Sequence, residues 1–448
     1  MTTQGIQASR TESAASSTRW PRALRSFRHR NYRLFFIGQS VSLVGMWMQM
    51  TAQPWLVYKL TDSPLLLGLM FFAEQAPIFL LAPFGGALAD RMNRKNLLLV
   101  TQASYLLQAL VLGTLAVTHT LHLSHLFLLA VWLGVTGAFD LPVRQAIVVD
   151  MVGREDLVNA IALNSSLFNG AVIVGPALAG VLVAKIDIGV CFLLNSGSKI
   201  PVIITLLMIA NLPTFTRPPG GTSHLQNIIE GARWVARMRP VCVIFITLFL
   251  MSLLGSTQRV LMPIFADHIL HRGSTGFGIL MAANGAGALI AAVMLALRKQ
   301  VRGLQSWITL GSAGLGVGLM LFAYSTVFPL SVVLLVPAGL SMSLQMSASL
   351  TLIQSMVPDQ LRGRVMAFHL MMFVGAAPLG SLISGALARW TSAQFTVMAG
   401  GVGCVIAAGW FAYSMRGLHT QAHELILAQE MLPGGPPEEA TVASLSEL

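Results

Sequence analysis

Charged residues are scarce in this sequence, and their scarcity excludes an ordinary soluble domain. Only 10% of the 448 residues are Asp, Glu, Lys or Arg, whereas soluble proteins average about 25%. Hydrophobic residues make up 55%. Lys and Arg number 28 against 17 Asp and Glu, a net charge of +11. Because the cations lie in short loops between apolar runs, we interpret them as membrane-surface charge and exclude a nucleic-acid partner.

Cysteine is equally scarce, which excludes a disulfide framework. Cys191, Cys242 and Cys404 all lie within apolar runs, where they are expected to be small buried hydrophobes. No Ser/His/Asp, Cys/His or metal-spaced cluster falls in a loop. We therefore predict no enzymatic activity, no metal site and no cofactor. Residues 1–34 lack an apolar core, so no cleavable signal peptide is expected there.

Apolar runs of about 20 residues recur along the chain, and a run of that length crosses a bilayer as one helix. We place them at 35–57, 64–86, 96–118, 124–146, 160–184, 188–211, 240–266, 274–297, 304–325, 328–352, 365–388 and 393–415. The fold class expected is therefore an all-α membrane protein with twelve transmembrane helices.

A polar stretch at 212–239 divides these runs six and six. It is expected to begin as a Pro/Gly-rich linker and to continue as an amphipathic helix, because apolar residues recur there at spacings of three and four. The predicted organisation is an N-terminal segment at 1–34, six-helix bundles at 35–211 and 240–415, and a tail at 416–448.

Lys and Arg are unevenly divided between the two sides of the predicted bundles. The side opposite the N-terminus holds only Lys59, Lys185, Arg272 and Arg389. Because cytoplasmic loops carry an excess of Lys and Arg, both termini are expected to be cytoplasmic. The even number of spans agrees. We expect a monomer in the bacterial inner membrane.

Glycine spacing indicates an internal repeat. Gly68 recurs as Gly278 at an offset of 210 positions, and Gly180 recurs as Gly385 at an offset of 205. Further matches at these offsets are Ser42-Leu43-Val44-Gly45 with Ser252-Leu253-Leu254-Gly255, Gly170 with Gly375, and Gly175 with Gly380. Two homologous halves in parallel orientation predict a substrate path between them, near the membrane mid-plane.

A charged hairpin between the second and third spans is predicted to act as a conformational gate. We expect Asp90 to cap the positive N-terminal end of span eleven, and Asp150 and Glu155 to pair with Arg91 and Arg94. The kinked, closely packed helix around Pro176 is explained either by gating or by packing alone. The residues assigned to the gate are Gly86, Asp90, Arg91, Arg94, Lys95, Gly175, Pro176, Arg362 and Arg364.

The hairpin spacing Gly-x-x-x-Asp-Arg-x-x-Arg-Lys resembles the signature loop of the major facilitator superfamily, with Asn93 in place of the usual glycine. Gly38-Gln39-Ser40, Pro54-Trp55-Leu56 and Arg362-Gly363-Arg364 resemble its branch of twelve-span exporters, which includes the enterobactin exporter. The resemblance implies two pseudo-symmetric bundles, alternating access, and export of a siderophore, drug or metabolite.

Five Asp, Glu, Lys or Arg residues lie within the predicted spans, where each is energetically expensive. Glu74 or Asp140 could carry a coupling proton. Alternatively, Asp140 and Arg144 form a structural i,i+4 ion pair, and Glu74 is held by an interhelical hydrogen bond or a salt bridge to Lys199 or Arg259. Those two cations could instead attract an anionic group of the substrate.

Trp47 and Gln49 in the first span either line an adaptable substrate cavity or face lipid. We predict a secondary active transporter that exports a small amphiphilic molecule in exchange for protons. An importer or lipid-flipping permease on the same fold stays open, as does a membrane sensor or scaffold that transports nothing.

Overall fold

The computed structural model describes residues 22–153, 155–209, 224–297, 303–418, 421 and 425, and this part of the chain is helical without strands. Its twelve long helices are α1 Arg30–Thr61, α2 Pro64–Arg91, α3 Arg94–Val117, α4 Leu123–Val152, α5 Leu157–Lys185, α6 Ile188–Met208, α7 Arg239–Ile264, α8 Gly273–Ala296, α9 Leu304–Tyr324, α10 Phe328–Met356, α11 Asp359–Trp390 and α12 Ala393–Arg416. A 3₁₀ helix (Arg22–Arg28), a linker helix (His224–Arg237) and a π-helical turn (Phe265–Ile269) complete the described elements.

Eleven of the long helices described are apolar enough to cross a membrane. The exception is α1, which carries several amides along its length. Gln39, Gln49 and Gln53 are all buried, because α1 packs inside its bundle against α5 and α6. The predicted fold class, an all-α protein of membrane-spanning helices, is confirmed.

Local sequence explains how these helices begin and end. Pro64 starts α2 behind Ser63, whose hydroxyl accepts from the Leu66 amide at 3.4 Å. Asn93 is the N-cap of α3, and its side-chain oxygen accepts from the amides of Lys95 at 3.0 Å and Asn96 at 3.3 Å. Asn93, the residue that departs from the motif, therefore caps the helix with its side chain, which the usual glycine could not do.

The two halves meet along two helix pairs, α2 with α11 and α5 with α8. A Cβ atom at Gly68 would lie 3.1 Å from the Cα of Gly385, and one at Gly180 would lie 3.1 Å from the Cα of Gly278. These four glycines belong to the internal repeat. The repeat thus places one glycine crossing on each side of the interface between the halves.

The helix ends define two faces of the molecule. The basic face carries the ends of α1, α3, α7 and α12 that begin or finish with Arg30, Arg94, Arg239 and Arg416, and the far face is the opposite one. Both glycine crossings lie toward the far face. The linker helix packs against α11 at the basic face, where Gly231 lies against the backbone of Arg364 and Glu230 pairs with its side chain.

A set of polar contacts joins the halves at the far face. Asp267 accepts hydrogen bonds from Lys59 Nζ at 2.6 Å and from Tyr58 Oη at 2.8 Å, and His268 Nε2 lies 3.3 Å from Asp62 Oδ1. We call these five residues the far-face latch. The ring of Trp55 stacks on Phe277 of the other half beside it, with centroids 5.8 Å apart. The far face is therefore closed.

Candidate functional site

The carboxylate of Asp140 is the centre of a buried polar network in the N-terminal half. Its Oδ1 accepts from Thr101 Oγ1 and from Gln102 Nε2, both at 2.8 Å. Its Oδ2 forms an ion pair with Arg144 one helical turn away, with the Arg144 Nε at 2.9 Å. Both carboxylate oxygens are therefore engaged. This geometry is that of the structural i,i+4 pair.

Lys199 on α6 lies close to this network but bonds elsewhere. Its ammonium donates to the Ser42 carbonyl at 3.1 Å and to the Ser42 hydroxyl at 2.9 Å, and so ties α6 to α1. It also lies 5.7 Å from the centroid of the Tyr105 ring, within the range of a cation–π interaction. The predicted alternative of a Glu74–Lys199 salt bridge is wrong in this conformation.

Glu74 of α2 and Arg259 of α7 are charges within the membrane spans of opposite halves. Each side chain lies in the electrostatic field of the other. No ion pair of 4.0 Å or less joins them, so the alternative of a Glu74–Arg259 salt bridge is also wrong here. Arg259 is exposed and Glu74 is partly exposed. Among the charged residues that the structure describes deep within the spans, these two have opposite sign, belong to different halves and act on each other electrostatically.

Gln49 and Trp47 lie within helix packing and not on an open cavity wall. The Gln49 amide donates to Gln108 at 3.0 Å and to Gln53 at 3.2 Å, and it accepts from Asn195 at 2.7 Å. Trp47 is buried against the ring of Phe168, with centroids 5.6 Å apart. In this conformation both residues connect α1 to neighbouring helices of its own half.

The motif hairpin is partly described. The Arg94 guanidinium donates to both oxygens of Asp150, at 2.8 and 2.9 Å. Lys95 Nζ donates to the Ile209 carbonyl at 2.5 Å, just beyond the end of α6. Both contacts tie the hairpin to its own half. The side chains of Asp90 and Arg91 lie outside the described residues, and so does the predicted cap of α11 by Asp90.

The remaining gate residues have separate surroundings. Nothing lies within 4 Å of a Cβ at Gly86, whereas Gly175 packs directly against Trp47 and the Pro176 carbonyl lies against Gly278. Arg364 pairs with Glu230 of the linker helix. Arg362 is exposed on the same turn of α11. Among the described side chains of the gate, Gly175 and Pro176 pack at helix contacts within the spans, whereas Arg364 is bound to the linker helix at the basic face.

Glu155 pairs with a residue that the sequence did not suggest. Its carboxylate lies 3.7 Å from Arg28, on the 3₁₀ helix before α1. The neighbouring Asp156 is fully buried and binds Arg28 at 2.7 Å and His29 at 2.8 Å. Burial alone would raise the pKa of Asp156, but the His29 hydrogen bond and the charges of Arg28 and Arg25 outweigh it and lower that pKa. This cluster docks the 3₁₀ helix on the start of α5.

Sequence reasoning missed Tyr105 as a member of the site. Tyr105 lies in the electrostatic field of Asp140, Arg144 and Glu74 and under the Lys199 ammonium. Its hydroxyl lies 3.4 Å from the position of a Cβ at Gly137, so the glycine leaves room for it. A single aromatic residue within an apolar run carries no signal of this role. Gly137 was the one sequence feature that hinted at space for a large side chain here.

Two bundles of membrane helices joined at paired crossings, with charges facing each other in the gap between them, define a secondary transporter of the major facilitator type. The sequence matches the family of transmembrane secretion effectors over residues 22–439, and the chain belongs to that family. Its members are transporters and not enzymes.

Individual relatives agree with this assignment. The chain is 27% identical to the staphyloferrin A transporter of Staphylococcus aureus over 356 residues, which cover 78% of this chain and 88% of that protein. It is 26% identical to the enterobactin exporter EntS of Shigella boydii over 382 residues, covering 84% and 90%. A crystal structure of a mutant of the nucleoside transporter NupG has the same fold, with a TM-score of 0.71 at 12% identity over 86% of this chain and 99% of that one.

Proposed function

We propose that this protein is a proton-coupled exporter of a small amphiphilic molecule, with Glu74 as the proton carrier. The observation that carries the proposal is that Glu74, deep within α2, has no ion pair or hydrogen bond among the described contacts, while the charge of Arg259 in the other half acts on it. Two relatives are named for siderophores, so a siderophore is the first substrate class to test. A drug or a secreted metabolite fits the same site.

Glu74 is better suited to proton exchange than Asp140. Asp140 receives hydrogen bonds from Thr101, Gln102 and Arg144, and its protonation would break a buried ion pair, which is strongly destabilising. Glu74 has no ion pair or hydrogen bond among the described contacts. It can therefore gain and lose a proton without dismantling the helix packing.

The closed far face and the charge of the basic face support an orientation. We assign the basic face to the cytoplasm, because Lys and Arg accumulate on cytoplasmic loops. The far-face latch then closes the outer side of a monomer in the inner membrane. The bundles 35–211 and 240–415 act as the two moving bodies. In the opposite state we assign Asp90 to cap α11, which would close the cytoplasmic side and bias the carrier outward.

The test is proton movement in proteoliposomes that carry a pH-sensitive dye, with staphyloferrin A and enterobactin as probes. Wild type should couple the movement of one probe to a proton flux, and Glu74→Gln should abolish that flux. The matched control is Glu155→Gln, an exposed carboxylate at the basic face, which should leave the flux unchanged. A flux that survives in Glu74→Gln contradicts the coupling site.

Transport that continues undiminished after the pH gradient is collapsed contradicts proton coupling itself. Inverted and right-side-out vesicles separate the exporter from an importer or a lipid-flipping permease, because the direction of net movement reverses. A sensor or scaffold would move neither probe in either orientation.

A further inference from the structure

Arg259 points away from the outer helix of its own half. Thr257 lies against α12, since a Cβ at Gly400 would come 3.0 Å from its hydroxyl. Two residues along an α-helix correspond to a rotation of about 200°. Arg259 therefore lies on the face of α7 opposite to α12, toward the gap that Glu74 borders. Its exposure is exposure to this gap and not to lipid.

The C-terminal half offers Arg259 no acidic partner. Between Arg239 and Arg416 the sequence holds two acids, Asp267 and Asp359. Asp267 lies at the far face in the latch, and Asp359 is the first residue of α11 at the basic face. Arg259 makes no hydrogen bond or ion pair among the described contacts. A guanidinium held inside the membrane without a counter-charge in its own half is a functional-site signal.

We infer that Arg259 binds a carboxylate of the transported molecule in alternation with the Glu74 carboxylate. The inference rests on the proposed function, whose substrate it restricts to anions. The planar fork of a guanidinium matches a carboxylate in two parallel hydrogen bonds. Among the described residues, Glu74 is the carboxylate whose charge acts on Arg259, so it is the competitor that the substrate anion must displace.

The competition predicts opposite effects for the two residues. Removing the guanidinium should abolish the preference for an anion, because the half that supplies it has no other cation in the gap among the described residues. Removing the Glu74 charge should strengthen anion binding, because the competing carboxylate disappears. A purely structural Arg259 would give neither effect and no difference between acid and ester.

The test is calorimetric binding to the purified full-length protein, with two matched pairs of probes. These are staphyloferrin A and its methyl ester, and 2,3-dihydroxybenzoate and its methyl ester. Wild type should bind at least one acid about tenfold or more tighter than its ester. Arg259→Gln should bind acid and ester equally, and Arg259→Lys should keep part of the preference. Glu74→Gln should bind the acid at least about fivefold tighter than wild type.

Arg389→Gln is the matched control, since Arg389 is an exposed cation at the far end of α11 and its loss should change nothing. The inference is overturned if wild type binds acid and ester equally in both pairs. It is also overturned if wild type binds none of the four probes. An acid preference that survives in a folded Arg259→Gln overturns it as well. Failure of the proposed function has a different signature, because an Arg259-dependent acid preference without any proton flux leaves the anion site intact and removes proton coupling.

Discussion

The far-face latch should set how often the outer side opens, and Asp267→Asn tests this. The Tyr58 hydroxyl is buried and donates to a carboxylate at 2.8 Å, a bond of about 1.5 kcal/mol. The Lys59 ammonium is 50% exposed, so its 2.6 Å contact adds about 0.5 kcal/mol. The amide of Asn keeps an acceptor but loses the charge, so the closed-to-open equilibrium should shift by at most the sum of the two, about 2 kcal/mol, or about 30-fold.

The shift can be measured as the labelling rate of a single cysteine at the interface. Ser274 is buried on α8, and its hydroxyl donates to the Gly180 carbonyl at 3.3 Å. A Ser274→Cys probe in a background without the native cysteines should therefore react with an impermeant thiol reagent only when the far face opens. Asp267→Asn should raise that rate by up to about 30-fold, because the open state is the minor one in a closed structure.

Asp187→Asn is the matched control, because Asp187 is also a far-face acid but caps α6 through the Gly189 amide within one half. It should leave the labelling rate of Ser274→Cys unchanged. An unchanged rate in Asp267→Asn would refute the latch. An equal rise in both variants would show that any far-face acid affects helix packing, and would refute the reasoning in the same way.

Two further predictions follow from the packing. The pKa of Asp156 is lowered in the folded protein, so the docked 3₁₀ helix should persist above the ordinary carboxyl pKa of about 4 and loosen as pH falls below it. Hydrogen exchange of residues 22–29 measures this, and Asp156→Asn should remove the pH dependence whereas Glu155→Gln should keep it. Gly385→Leu should wedge the far face open, since a Cβ there would lie 3.0 Å from the Cα of Gly68, and should raise the Ser274→Cys labelling rate at least about tenfold, the effect of 1.4 kcal/mol. Gly409→Leu, where nothing lies within 4 Å, should not, and equal rates would contradict the crossing.

The periodic and local features of the sequence were enough to predict the architecture. Apolar run length follows from bilayer thickness, so the spans could be placed without a structure. The repeated glycines indicated two homologous halves, but only the structure shows that four of them lie where those halves cross, where a missing side chain lets the helices approach closely. The pairing of Arg94 with Asp150 was also foreseen, since both residues stand at the basic ends of successive helices.

Contacts between distant residues could not be predicted in the same way. Lys59 meets Asp267 across 208 positions, and His29 meets Asp156 across 127. In the sequence each of these residues is an ordinary loop or helix-end charge. Trp47 shows the same limit for an apolar run, because helical periodicity does not tell a lipid-facing side from a packed one when both are hydrophobic.

The distribution of charge between the halves bears on how coupling can work. Rotation of two rigid bundles leaves distances within each bundle unchanged, so the direct Asp140–Arg144 contact is the same in every state. The distance between Glu74 and Arg259 must change with that rotation, because the residues belong to different bundles. In the proposed mechanism the protonation of Glu74 is therefore linked to conformation, and conformation is linked to the anion that Arg259 holds. Two groups in different bundles gain this linkage from the change in their separation, in addition to any change in solvent access, which is the physical reason to look for the coupling pair across the interface.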